Sequence, residues 1–342
     1  MILSPASSRR VLQRLGEILF GARTLLVITH NNPDPDALAS GLALKMLAES
    51  RYGVPTTLCY GGMINRAEND KMVKVLDIPA VRFEAVDLQK FDRIAMVDTQ
   101  PGRGNNPLST KVPCHIVFDH HQSDRPVNAE VMIHSRKIGA TATMLCELLQ
   151  AAEVEIKPNL ATALIYAIRT ETQELRREAH ERDVRAYLSL YPLASLRKIG
   201  EIAYPKLPHS YFEMLAVALR RAMIFRHIIF VPLGGVPLAE IVAETADFFL
   251  RHNRVTWVLV MGEFHGQFFF SLRTTHPQGH AYRMIQKILD DKINAGGHET
   301  YAGGRMALNG AAADIENRIA ARYAEIMGYT DVQWNPLIKH KD

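Results

Sequence analysis

Three short stretches of this 342-residue chain carry histidines and carboxylates at spacings suited to divalent cations. They are His30-Asn-Asn-Pro33-Asp34-Pro35-Asp36, the aspartate Asp98, and the triplet Asp119-His120-His121. Pro33 and Pro35 stiffen the first stretch. Carboxylates two residues apart in an extended segment diverge, so Asp34 and Asp36 are suited to two different cations rather than to chelating one. Mixed imidazole and carboxylate ligation fits Mn²⁺ or a similar ion better than Ca²⁺, which prefers all-oxygen shells. Two such ions ~3.5–4 Å apart would hold a bridging hydroxide and stabilise its in-line attack on phosphorus. A single aspartate at a strand end is ordinarily a cap or turn residue, so the weight rests on the three stretches together.

Each stretch closes an apolar run of the kind that forms a buried parallel strand: Thr24–His30, Arg93–Asp98 and His115–Asp119. Thr56–Tyr60 and Val131–His134 read as further strands, and Asp36–Glu49 and Ala140–Leu149 have helical periodicity. Strands separated by helices predict an α/β fold with a doubly wound, mainly parallel sheet. In such a sheet the carboxyl ends of neighbouring strands form the ligand crevice, so residues ~90 positions apart in sequence converge there. From about 159 to 219 the pattern is helical, broken at Pro192, Pro205 and Pro208. Beyond it, Phe225–Val231, Leu238–Ala243, Trp257–Met261 and Gln267–Arg273 read as strands, with helices at Arg283–Leu289 and Ala312–Met327. The expected organisation is a domain at 1–200 carrying the dinuclear site, a linker at 201–214, and a smaller mixed α/β domain at 215–332.

Composition narrows the class. With 47% hydrophobic and 22% charged residues, the chain is neither disordered nor fibrous. No run reaches the ~18 apolar residues of a membrane span, and no apolar segment with a cleavage site follows Arg9, Arg10 and Arg14. Cys59, Cys114 and Cys146 are scattered, which predicts buried thiols in a reducing cytoplasm rather than a disulfide framework. A net charge of +4 accommodates an anionic ligand without requiring nucleic acid.

Together these residues resemble the DHH phosphoesterases, named for the triplet seen here as Asp119-His120-His121. The family's His-x-x-Pro-Asp-x-Asp motif matches residues 30–36, and its strand ending in aspartate matches Ala95-Met-Val-Asp98. Gly139-Ala-Thr-Ala-Thr-Met-Leu-Cys-Glu147 is similar to the helix that follows the triplet. The segment from Ala295 through Gly296, Gly297, His298 and Ala302 to Gly304 is similar to the glycine-rich signature of the associated DHHA1 domain. The two-domain length resembles the nanoRNases, which also dephosphorylate 3′-phosphoadenosine 5′-phosphate (pAp), rather than the longer RecJ exonucleases.

The resemblance implies a manganese-dependent hydrolase acting on short RNA or on mono- and dinucleotide phosphates through metal-activated water. It places His30 and Asp34 on one ion, Asp36 and His120 on a second, and Asp98 between them. His121 would contact the phosphate or leaving group, and Asp119 would orient an imidazole. The family's Thr-Asp-Thr-Gly segment reads here Thr170-Glu171-Thr172-Gln173, with Arg169 beside it. Glu171 would complete the second metal site if the backbone retreats; pairing with Arg169 would instead leave that site weak. In the second domain, Arg273, Gly296, Gly297 and His298 would contact substrate. A cyclic- or linear-dinucleotide phosphodiesterase would need the same machinery, and a catalytically weakened nucleotide sensor would follow from a weak second site. Pyrophosphatase activity fits the glycine-rich segment less well. No membrane partner is expected, and a homodimer is left open.

Overall fold

The computed structural model describes residues 5–64, 66–121, 127, 129–135, 137–176, 179–291, 294–297, 299–308 and 310–338. The chain divides into two compact units, Met1–Pro205 and Lys206–Asp342.

The first unit is built on six parallel strands: β1 (Leu25–Ile28), β2 (Thr56–Tyr60), β3 (Ala80–Arg82), β4 (Arg93–Val97), β5 (Cys114–Asp119) and β6 (Ala129–His134). Their order is β3-β2-β1-β4-β5-β6, so the winding direction reverses between β1 and β4. All four residues of β1 are buried, as an uninterrupted apolar run in a central strand requires. Among the described residues, seven helices accompany the sheet: α1 (Pro5–Leu19), α2 (Pro35–Tyr52), α3 (Ala67–Leu76), α4 (Thr141–Ala151), α5 (Pro158–Glu171), α6 (Glu181–Leu190) and α7 (Leu196–Ala203). Helical residues such as Leu15, Leu38, Leu47, Leu145 and Leu164 share one core with Val27 and Phe118 of the sheet. The opposite face, with Leu26, Ile28, Met96 and Val117, is covered by Phe83, Leu88, Leu108 and Val112 from short 3₁₀ turns and loops. The β4–β5 connection includes Pro101-Gly102-Arg103-Gly104-Asn105-Asn106-Pro107, a composition that disfavours a crossover helix.

The second unit contains α8 (His209–Arg221), β7 (Met223–Phe225), β8 (Ile228–Gly235), α9 (Glu240–Phe249), β9 (Trp257–Phe264), β10 (Gln267–Thr274), α10 (Ala281–Leu289), β11 (Ala295–Gly297), β12 (Tyr301–Ala307), α11 (Ala312–Ile326) and β13 (Asn335–Pro336). Its mixed sheet runs β11-β12-β10-β9-β8-β7-β13, with only the β8–β9 pair parallel. Ile285, Ile319 and Tyr323 pack with Phe230 and Leu272 in one core. Ala218, Val242 and Phe249 pack with Ile229 and Val260 in another.

The structure differs from the sequence reading in three places. Leu238–Ala243, expected as a strand, is instead a bend and turn at 238–239 followed by the start of α9. Its buried set Ile241, Val242, Thr245, Ala246 and Phe249 has helical spacing, which the β-branched pair Ile241-Val242 hides in a short window. Phe225–Val231 is not one strand but the corner of a hairpin, in which Phe225 pairs Ile228 and Arg226 turns with φ 52°. The non-helical stretch between α7 and α8 is 204–208, shorter than the 201–214 expected for a linker, because both helices extend into that range.

Candidate metal centre

The loops after β1, β4 and β5 deliver the cluster. At the end of β1, Asn31 N–H donates to the Asn105 carbonyl at 2.6 Å and Asn32 N–H donates to the Gly61 carbonyl at 2.9 Å, lashing this loop to its neighbours. Asp34 then caps α2, its Oδ1 accepting from Ala37 N at 3.0 Å, with Pro35 at the first helical turn. Capping turns the other oxygen toward His30, whose Nε2 lies 3.7 Å from Asp34 Oδ2. Asp98 follows β4 with φ 58°, in the left-handed region that aspartate tolerates better than most side chains. Its N–H still donates to the Phe118 carbonyl at 2.8 Å, so the chain bends while remaining tied to β5.

Asp98 is 2% exposed and stands between two groups. Its Oδ2 lies 3.6 Å from His30 Nε2, and its Oδ1 lies 3.6 Å from His120 Nε2 and 3.5 Å from His121 Nδ1. One set of ligand-type atoms is therefore His30, Asp34 and Asp98; the other is Asp98, His120 and His121. His120 Nε2 also sits 3.9 Å from Asp36 Oδ2 and 3.8 Å from Glu171 Oε1, yet it is buried without a hydrogen-bond partner among the described residues. These separations exceed hydrogen-bonding distance and match atoms that share a small cation. An orphaned imidazole nitrogen facing three carboxylates is the donor set that a divalent ion satisfies, so the residues fit the metal that the sequence leads one to expect.

Electrostatics agree. Burial, together with the charges of Asp98, Glu171 and Asp34, raises the pKa of Asp36 well above the usual carboxylate value. Burial opposes charge on His30, but the Asp34 and Asp98 carboxylates outweigh it and hold its pKa well above the usual histidine value. His121 is likewise pushed up to about 9 against its burial, by Asp98 and by the hydrogen bond to Asp119. Burial and the neighbouring His121 lower the pKa of His120. The raised values on His30, Asp36 and His121 all act to lessen the repulsion among the crowded carboxylates.

Of the residues expected on metal, His30, Asp34, Asp36, Asp98, His120 and Glu171 all lie in this cluster. Asp36 also has a structural duty: its oxygens accept from Thr141 N at 2.7 Å and Ala142 N at 2.8 Å, capping α4. Arg169 pairs with Glu174 at 2.6 Å, while Glu171 approaches His120. Asp119 Oδ1 accepts from His121 Nδ1 at 2.8 Å. The sequence reading missed Thr141, whose hydroxyl donates to Asp98 Oδ1 at 2.9 Å, and Gln100, whose Nε2 donates to Asp119 Oδ2 at 2.5 Å. Neither carries a metal-ligand signature, although Thr141 lies within the Gly139–Glu147 motif and Gln100 stands two residues beyond Asp98.

In the second unit, Gly296 faces open space, and a hollow of about 400 Å³ is lined by Gly296, Gly303, Phe269 and Arg305. Gly297 differs: a Cβ there would stand 2.4 Å from Ala302 Cα, so that glycine is required by the close approach of β12. Arg273 is engaged by Asp247 at 2.6 Å, with its guanidinium 5.7 Å from the Tyr301 ring centre. His298 lies outside the described residues. All three cysteines are buried free thiols, each pushed up to about 12 by burial. No helix among the described residues is long and apolar enough to cross a membrane.

Residues 24–168 match the DHH family, N-terminal domain. The chain is 32% identical over 317 residues to the uncharacterised protein MJ1633 of Methanocaldococcus jannaschii, covering 89% of this chain and 64% of that protein. It is 26% identical over 182 residues to a probable manganese-dependent inorganic pyrophosphatase of Lactiplantibacillus plantarum, covering 52% of this chain and 56% of that one. The chain thus spans less than two thirds of the length of these curated relatives. An exopolyphosphatase-related protein from Bacteroides fragilis has the same fold, with a TM-score of 0.75 at 14% identity over 93% of this chain and 98% of that one.

Proposed function

We propose that the protein is a metal-dependent phosphoesterase that hydrolyses short oligoribonucleotides or small nucleotide phosphates such as pAp. The observation that carries this reading is Asp98, whose two oxygens stand 3.6 Å from His30 and 3.6 Å from His120 on separate sides. His30, Asp34 and Asp98 would hold one cation, and Asp36, Asp98, His120 and Glu171 a second. Such cations supply Lewis-acid polarisation of a phosphoryl oxygen and a nucleophilic water near neutral pH. The names of the pyrophosphatase relatives favour manganese.

The remaining work falls to the chain's own side chains. Asp119 holds His121 through Nδ1, so hydrogen bonding of this imidazole to a phosphoryl oxygen or leaving group falls to Nε2. The hollow beside Gly296, where no side chain blocks close approach to the backbone, and the Arg305 side chain would offer a nucleotide room and a cation. Arg273 would grip a phosphate only by exchanging its partner Asp247. The pyrophosphatase relatives support a second reading, hydrolysis of a phosphoanhydride.

Competition separates these readings. Manganese-loaded protein is given pAp, a linear dinucleotide, a cyclic dinucleotide and pyrophosphate at equal concentrations. Preferred turnover of pAp or the linear dinucleotide is expected. Preferred turnover of pyrophosphate, or tight nucleotide binding without turnover, overturns the proposal.

A further inference from the structure

Gln100 lies two residues beyond Asp98, at the start of the β4–β5 connection, and is 1% exposed. Its backbone is fixed by Asn106, whose Nδ2 donates to the Gln100 carbonyl at 2.9 Å. Its side-chain Nε2 donates to Asp119 Oδ2 at 2.5 Å. Asp119 is fully buried and divides its oxygens: Oδ1 accepts from His121 N at 3.1 Å and His121 Nδ1 at 2.8 Å, while Oδ2 accepts only from Gln100 among the described residues. The Gln100 Oε1 atom is buried and has no hydrogen-bond partner among the described residues.

We infer that Gln100 is a positioning residue that sets the orientation of the His121 imidazole through Asp119, an assignment that rests on the phosphoesterase reading. Rotation of a carboxylate about χ2 is soft, so a grip on Oδ1 alone leaves its plane, and any ring held by it, free to swing. A second donor on Oδ2 fixes that plane and the direction of the Oδ1 lone pair that receives His121 Nδ1–H. Leucine or methionine would fill a similar volume without orphaning an acceptor, so packing alone does not account for an amide here. The His121 backbone is restrained as well: its N–H donates to Asp119 Oδ1 at 3.1 Å and its carbonyl accepts from His134 Nε2 at 2.9 Å, with Gln100 Nε2 a longer contact at 3.4 Å. Through Nδ1 the ring is coupled to Asp119, and through Asp119 Oδ2 to the Gln100 amide.

Gln100→Leu and Gln100→Met remove the donor at nearly constant volume, and either serves if the other fails to fold. In the full-length manganese-loaded protein, kcat for the dinucleotide should fall about 10–100-fold, the usual loss on removing a group that orients a site residue. KM and the Mn²⁺ dissociation constant, the latter read by electron paramagnetic resonance, should change less than about threefold. A purely structural role would instead lower folding stability and metal affinity together. A second readout does not depend on turnover. In the magnesium-loaded protein, the His121 Nδ1–H should give a downfield, slowly exchanging signal in long-range ¹H–¹⁵N spectra, and in both variants that signal should shift upfield and broaden. An unchanged His121 signal, or kcat within about twofold of wild type, overturns the assignment. If the wild-type protein hydrolyses none of the substrates, the phosphoesterase reading fails while the spectrum still decides the role of Gln100.

Discussion

Glu171 stands where the resembling family carries aspartate, and its Oε1 reaches to 3.8 Å from His120 Nε2. Arg169, the cation that competes for it in sequence, is occupied by Glu174. The longer side chain therefore already spans the gap, and shortening it withdraws the carboxylate. Glu171→Asp should lower kcat about 10–100-fold, because displacing a positioned group by ~1 Å costs on that order. A rise in turnover would mean that the glutamate weakens this site. The histidines give a second prediction at this scale. Because the metal-free His30 has a pKa held well above the ordinary value, it carries a proton through neutral pH that a cation must displace. Mn²⁺ uptake should release protons and weaken as pH falls. Calorimetry at pH 7 in buffers of different ionisation enthalpy reads the release directly, and an enthalpy independent of buffer would contradict it.

Two buried aspartates join elements rather than bind substrate. Asp183 of α6 is fully buried and accepts from Gly139 N at 2.7 Å, His180 N at 2.8 Å and Thr143 Oγ1 at 2.6 Å. It thereby fastens the start of α6 to the start of α4, whose first amides also rest on Asp36. Asp183→Ala leaves three donors without this acceptor and should cost about 3 kcal/mol or more, at ~1–3 kcal/mol per buried unsatisfied group. Urea unfolding measures this, and a loss under about 1 kcal/mol would show that water replaces the carboxylate. The sequence displayed the ligand cluster because strand periodicity marks where β1, β4 and β5 end, and α/β sheets gather those ends. It did not display the roles of Asp183, Thr141 or Gln100, whose partners, apart from the local cap of Asp183 on His180, lie on other elements and follow no local pattern. Arg182 was equally hidden. Its place in an arginine- and glutamate-rich stretch suggests a solvated face, yet it is 6% exposed and paired with Glu147. Helix α9 was misread for the opposite reason, since a short β-branched window resembles a strand until its burial period is known.

At the scale of the molecule, the two units have separate cores, and the chain between α7 and α8 is short, with Tyr204, Lys206 and Pro208 exposed. Tyr204 there is 80% exposed, and Lys206 follows the unit boundary. Limited trypsin digestion should cut first after Lys206, because cleavage within either packed unit requires local unfolding. The fragment ending there should retain Mn²⁺, since every residue proposed as a ligand precedes Pro205. First cuts scattered within residues 5–200, or loss of metal on this single cut, would contradict that division.

The central claim is that Asp98 serves a metal site that hydrolyses phosphoesters. The most direct measurement is hydrolysis of a 5′-labelled dinucleotide and of pAp by protein stripped with a chelator and then titrated with Mn²⁺, beside Asp98→Asn as the control. Turnover that vanishes on chelation, returns with Mn²⁺ and stays absent in Asp98→Asn is the predicted result. Turnover that survives chelation, or that Asp98→Asn supports at wild-type rates, would contradict it.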